Sequence, residues 1–161
     1  MDAANIDLKS FNEEFYRREI GGELSEVKRF LAQAAGRIAL EVTTLVIPTK
    51  NDSEAEIEAA AQFIASLDPA IPYHLSAYYP VYKYSLPATR PESVVHLAEV
   101  ARRHLRYVYE GNLGVHRTIT RCAACGNVLI ERQGYHVSFP GLKGGACANC
   151  GEELPILGLP A

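Results

Sequence analysis

The sequence predicts an α/β fold, about four parallel strands interleaved with helices, followed by a small C-terminal metal-binding ribbon. Two observations predict it. Up to about residue 112, short runs rich in β-branched and aromatic residues alternate with amphipathic stretches, as in successive βα units. Beyond that point glycines and two Cys-x2-Cys pairs replace the alternation, which marks a separate module.

The 161 residues suffice for one ordinary domain and a small unit. Hydrophobic residues at 48% and charged residues at 22% give the balance of a globular chain. A net charge of -3 argues against a global nucleic-acid or membrane surface. No run approaches the ~18 apolar residues of a membrane span. Residues 1–20 show no basic segment followed by an apolar one, so no signal peptide is visible. All four cysteines fall in the two pairs, which reads as metal binding instead of a disulfide framework and places the protein in the cytoplasm.

Taken in order, Ala3 to Leu8 is short and apolar with Asp7 near its end, and reads as a buried parallel strand. Ser10 and Glu13 form a Ser-x-x-Glu capping box for a helix that stops at Gly21-Gly22. A second helix carries Leu24, Val27, Phe30, Leu31 and Ala34 on one face and ends near Gly36. Ile38 to Ile47 is rich in β-branched residues and closes at Pro48, a strand. Ser53 and Glu56 repeat the capping box, and Ile57, Ala60, Ala61 and Ile64 continue one apolar face. Tyr73 to Tyr79 is the next strand, between Pro72 and Pro80. Thr89-x-x-Glu92, with Pro91 among the first helical residues, opens a helix through Val94, Leu97, Ala101 and Leu105. Tyr107 to Tyr109 is a last short strand before Gly111-Asn112.

Such alternation implies parallel strands with right-handed crossovers, as an open sheet or as half of a barrel. Met1 falls directly against the first strand, which carries little edge protection. The expectation is therefore a chain that begins midway through a fold, with residues 1–112 forming half of a (βα) barrel. Residues 113–120 read as a connector, and 113–161 as a whole as the second unit.

In that unit Cys122 and Cys125 precede Gly-Asn, and Cys147 and Cys150 precede Gly-Glu, with 21 residues between the pairs. Two intervening residues let both thiolates of a pair reach one ion at about 2.3 Å. Gly126 and Gly151 relieve crowding where the backbone turns around the metal. Val128-Leu129-Ile130 and Tyr135-His136-Val137 can form the hairpin that brings the pairs together. Four soft thiolates select Zn2+, or Fe as in rubredoxin-type sites, and the closed set leaves no position for catalysis. Four buried free cysteines or a redox dithiol fit the paired spacing less well.

Ligands of parallel sheets and barrels bind beyond the C-terminal strand ends. There Asp7 and Lys9 place a carboxylate and an ammonium on one face, either to share a small anionic or zwitterionic ligand or as a structural ion pair. Tyr73, Tyr78, Tyr79, Tyr82 and Tyr84 could stack a base or pack a loop. His74, inside an apolar strand, reads as a hydrogen-bonded core residue. His96 and His104 lack partners at metal spacing, and Arg102, Arg103 and Arg106 suit a helix C-terminus. His116 and His136 flank a site that four thiolates already saturate.

The segments Asp2-Ala-Ala-Asn-Ile-Asp-Leu-Lys9, Glu41-Val-Thr-Thr-Leu-Val-Ile-Pro48 with Asn51-Asp52, and Tyr73-His-Leu-Ser-Ala-Tyr-Tyr-Pro80 resemble one family. It is the radical S-adenosylmethionine (SAM) enzymes related to pyruvate formate-lyase activating enzyme, in particular the AmmeMemoRadiSam branch, whose members also end in a Cys-x2-Cys ribbon. The resemblance implies a partial barrel holding a [4Fe-4S] cluster and SAM, in which the cluster cleaves SAM reductively to a 5′-deoxyadenosyl radical that abstracts a hydrogen atom. It implies that Lys9 contacts the SAM carboxylate and that Asp7 organises that region. Thr43 would face the methionyl moiety. Tyr79 would line the cofactor where activating enzymes often have histidine.

One departure is large: the cluster-binding Cys-x3-Cys-x2-Cys motif is absent, and Cys122 to Cys150 have the wrong spacing to replace it. The expectation is a C-terminal portion of such an enzyme, inactive alone and needing the missing N-terminal half of its barrel, in cis or from another chain. A protein substrate is a possible partner. The rival reading is a stand-alone zinc-ribbon module that binds a protein or nucleic acid, the latter disfavoured because Arg121, Arg132 and Lys143 are opposed by Glu131, Glu152 and Glu153.

Overall fold

A computed structural model of the protein describes residues 1–114 and 117–154; His116 lies outside them. The chain divides into two compact units, Met1–Leu113 and Gly114–Ala161. Among the described residues no helix is long and apolar enough to cross a membrane.

The first unit is a four-stranded, all-parallel sheet in the order β1-β2-β3-β4: β1 Ala3–Asp7, β2 Ala39–Val46, β3 Tyr73–Ala77 and β4 Val108–Gly111. The helices are α1 (Glu13–Phe15), which runs into a π-helical turn at Tyr16–Ile20, then α2 (Leu24–Ala34), α3 (Glu54–Leu67) and α4 (Pro91–Arg102). Because spatial and sequence order agree, the sheet has no switch point and its C-terminal strand ends form one continuous row. Barrels are built this way, whereas doubly wound sheets reverse their order.

Strand alternation sorts the side chains onto two faces. Leu40, Val42, Thr44 and Val46 of β2, with Tyr73, Leu75 and Ala77 of β3, are buried in one core with Leu31, Ile57, Ile64, Val94 and Leu97 of the helices. The opposite face presents Asn5, Asp7, Glu41, Thr43, His74 and Ser76, none of them buried. β1 is thus an edge strand of alternating exposure, not the buried strand expected from its apolar composition; only Leu8, just beyond it, is fully buried. His74 is likewise no core residue. It lies on the open face because Tyr73 and Leu75, its neighbours, take the core positions.

Helix entry shows which hydroxyls cap and which do not. α3 starts as expected, with the Ser53 hydroxyl accepting from Glu56 N at 3.3 Å. α1 does not start at Ser10. Its cap is Asn12, whose Oδ1 accepts from Glu14 N at 2.8 Å and Phe15 N at 3.2 Å. α4 is capped at Arg90 with Pro91 first in the helix, and Thr89 is diverted into the core, where its hydroxyl donates to Val46 O at 2.6 Å. On α2 the expected Phe30 lies at the edge of the apolar stripe and is half exposed, while Leu24, Leu31 and Ala34 are buried.

The second unit holds a three-stranded antiparallel sheet, β5 (Arg117–Arg121), β6 (Val128–Gln133) and β7 (His136–Ser138), and a two-stranded one, β8 (Leu142–Lys143) and β9 (Ala146–Cys147). Gly134 and Tyr135 make the tight β6–β7 turn, with Gln133 opposite His136. Its buried core is Cys122, Leu129 and Cys147, with Ile130, Leu142 and Leu154 packed around.

Candidate functional site

The four cysteine sulfurs all lie within 4.8 Å of one another, positioned to hold a metal ion. Cys122 Sγ is 3.6 Å from Cys150 Sγ, and Cys125 Sγ is 3.7 Å from Cys147 Sγ. A tetrahedron with metal–sulfur bonds of about 2.3 Å has edges of about 3.8 Å, which these two distances match. They are too far apart for disulfides, and all four are free.

The same turn builds both halves. Cys122 N donates to Asn127 O and Gly126 N donates to Cys122 O, at 2.9 and 2.8 Å. Cys147 N donates to Glu152 O and Gly151 N to Cys147 O, each at 2.9 Å. The two glycines have φ of 73° and 76°, a left-handed conformation that an L side chain would resist. In each pair the first cysteine is buried and the second exposed.

The thiols do not ionise alike. Burial raises Cys147, yet N–H donors from Cys150 and Asn149 and the Asn127 amide outweigh it and bring its pKa down to about 6. The Asn149 side chain, with the Asn127 N–H, lowers Cys125. The Glu152 N–H favours a Cys150 thiolate, but the sulfur of Cys125, burial, and the sulfurs of Cys122 and Cys147 push it up to about 12. Four thiolates this close repel, and a cation is what lets all of them ionise together.

At the C-terminal strand ends of the first unit, Lys9 Nζ meets Asp7 Oδ2 at 2.7 Å, with both side chains exposed to a third or more. Thr43 is the register partner of Asp7, and its hydroxyl donates to Asn5 Oδ1 at 2.8 Å. Asp7, Lys9 and Thr43 therefore share one corner. The corner is braced by Asn51, only 1% exposed, whose amide donates to Lys9 O at 2.7 Å and Leu45 O at 2.9 Å while its Oδ1 accepts from Ile47 N at 2.6 Å. Sequence reasoning noticed Asn51 only as part of a pattern. A buried amide tying two strand ends has no signature in residue type alone.

Tyr79 stands apart from that corner. Half exposed, it donates to Asn112 O at 2.8 Å and lines a cavity of about 440 Å3. Phe15, Ile20, Leu45, Ile47 and Val81 form its apolar wall. Glu19 at the wall is held by Lys50, whose hydrogen bond pulls the Glu19 carboxyl below its ordinary range. Thr49, Tyr82 and Asn112, the non-glycine residues at positive φ among those described, follow β2, β3 and β4 in turn. Backbone strain of this kind collects where loops are shaped for a ligand. The tyrosine run is not one platform: Tyr73 is core, Tyr78 is buried, and Tyr82 is fully exposed.

No protein-family model matches the chain, and no curated protein matches it in sequence. Among solved structures it is similar to the crystal structure of a domain of pyruvate-formate lyase-activating enzyme from Bacteroides vulgatus ATCC 8482. The TM-score is 0.59 at 21% identity, covering 69% of this chain and 68% of that one. The two share a fold.

Proposed function

We propose that the first unit is a SAM-binding portion of a radical SAM enzyme of the pyruvate formate-lyase activating type, and that the second unit is a structural metal ribbon. The observation that carries this reading is the Asp7–Lys9–Thr43 corner at the C-terminal ends of adjacent parallel strands, in a fold shared with a domain of such an enzyme. An amino-acid ligand has a carboxylate for the Lys9 ammonium and an ammonium for Asp7. The cavity beside Tyr79 has the apolar and aromatic walls that suit a purine. When bound beside a reduced cluster, SAM supplies hydrogen-atom abstraction. The chain's own residues orient it: Lys9 and Asp7 fix the zwitterion, Thr43 offers a hydroxyl, and Asn51 keeps the two strand ends in place.

A [4Fe-4S] cluster does not fit the residues present. The four cysteines converge on a single point, whereas a cubane needs its thiolates on separate irons. Cys-x3-Cys-x2-Cys is absent from the sequence. In this reading the cluster comes from further barrel strands, in cis or on another chain, and the protein alone is inactive; a protein is the substrate class that the activating type implies. The four-cysteine site takes Zn2+ or Fe.

Isothermal titration of the whole chain with SAM tests the proposal. Saturable binding that weakens about tenfold or more in Lys9→Met, as expected for one lost charge-assisted hydrogen bond, is the predicted result. An unchanged affinity in that variant, or no saturable binding by the parent chain, would sink it.

A further inference from the structure

One row of side chains crosses the open face in register on all four strands: Asp7, Thr43, His74 and Tyr109. Asn5 and Glu41 form the row behind it, on the same face by strand alternation. A histidine on an open sheet face can turn freely in water, and this one does not. His74 Nε2 lies 3.1 Å from Glu41 Oε2, a carboxylate that also accepts from Asn5 Nδ2 at 3.3 Å. The imidazole stacks on the Tyr109 ring with centroids 5.3 Å apart and planes 27° from parallel. Glu41 sets the ring's direction and Tyr109 sets its plane.

The tautomer follows from the partner. An ionised carboxylate only accepts, so the proton sits on Nε2 and Nδ1 of the neutral ring is an acceptor. Nδ1 has no hydrogen-bond partner among the described residues. In front of His74, towards the strand ends, lies the next row. It holds Leu45, Ser76 and Gly111 in register, low on its β3–β4 side, and a Cβ on Gly111 would come within 2.4 Å of the Ser76 hydroxyl. The small residues leave room beside an oriented imidazole and keep a second hydroxyl next to it.

We infer that this face is a binding site for a small polar ligand, in which His74 Nδ1 accepts a hydrogen bond from an O–H or N–H group. Glu41 and Tyr109 are positioning residues. The ligand is neutral or cationic: Asp7 and Lys9 offset each other, which leaves Glu41 as the charge this face carries. The site does not depend on SAM binding and extends beyond that reading to the molecule that would lie next to it.

Histidine ring nitrogens of the 15N-labelled whole chain report it directly through two-bond proton–nitrogen correlations. Ethanolamine serves as the cationic O–H/N–H probe and inorganic phosphate as the anionic control. His74 is expected as the Nε2–H tautomer, its Nδ1 resonance shifting saturably with ethanolamine and not with phosphate. Glu41→Leu should weaken the response about tenfold, the loss of a charge-assisted partner, with His96 and His104 unmoved. Glu41→Gln, which keeps the size and loses the charge, separates this from a packing effect by releasing the tautomer without moving the melting temperature. An Nδ1–H tautomer at His74, an ethanolamine shift no different from that of exposed His136, or a preference for phosphate would each overturn the inference. SAM titration of the same sample is read separately, so His74 can fail while SAM binding stands.

Discussion

The two units of this chain solve the same problem by different means. The first buries 22 residues in one apolar cluster, drawn from every strand except β1 and from α2, α3 and α4. Among its described residues the second buries three in its apolar cluster, and two of those are cysteines. Small units bury too little apolar surface to offset their chain entropy, so they need a staple. The four cysteine sulfurs, positioned to hold a metal ion, lie at that small cluster. The comparison also separates the polar groups: in the second unit four cysteine sulfurs converge on one point, while the first unit leaves Asn5, Asp7, Glu41, Thr43, His74 and Ser76 on an open sheet face.

The sharpest way to break the comparison is to take the metal away. Structural zinc contributes about 10–16 kcal/mol to the folding of small ribbons, far more than any single side chain in the first unit. Chelation of the whole chain should collapse the amide resonances of residues 117–154 towards random-coil positions and leave those of residues 1–113 dispersed. Retained dispersion in the second unit would mean that Leu129, Ile130, Leu142 and Leu154 suffice as a core. The same sample identifies the ion, since an iron-thiolate site absorbs visible light and zinc does not.

The reverse experiment is a cavity in the first unit. Leu75 is fully buried at the centre of the sheet, between the strands and the α3–α4 layer. Leu75→Ala should cost about 2–5 kcal/mol, seen as a lower urea midpoint for the first unit's transition. Metal stoichiometry at the cysteines should stay at one ion per chain. A loss of metal together with the lowered midpoint would show that the units are not independent.

Much of this was legible in the sequence, and the misses share a cause. The strand and helix order of the first unit and the cysteine pairs could be read because each depends on local spacing: alternation, i to i+4 recurrence, and Cys-x2-Cys; Arg117–Arg121, expected within the 113–120 connector, is strand β5. What failed depended on which of two faces a residue takes once the sheet is formed. His74 and Tyr73 are neighbours in a run that looks uniformly apolar, yet one lies on the open face and the other is entirely buried, its hydroxyl 2.8 Å from that of Thr44. β1 reads as interior by composition and sits at the edge of the sheet, paired with β2 on one side. Asp7, Lys9 and Thr43 meet at one corner, and Tyr79 does not join them, since β3 ends two residues early and the chain turns away at the cavity.

The capping boxes make the same point on the smallest energy scale. Ser10, Ser53 and Thr89 each stand three residues before a glutamate, and only Ser53 caps its helix. The difference lies in Glu56, which the pattern assigns to the Ser53 backbone. It reaches instead across to the first strand's loop, where Oε1 accepts from the Ser10 hydroxyl and from Phe11 N at 2.8 Å. Ser53→Ala therefore removes one hydrogen bond from an exposed helix end and should cost about 1 kcal/mol, with local fraying at the start of α3. Ser10→Ala removes the partner of a carboxylate from a buried position, and with it the acceptor of Asn12 N at 3.0 Å, and should cost more, about 1–3 kcal/mol, while the Asn12 side chain keeps its cap on Glu14 and Phe15. Hydrogen exchange at Glu14, Phe15 and Glu56 distinguishes them: faster exchange at Glu14 and Phe15 in Ser10→Ala would restore Ser10 as a cap and undo the assignment.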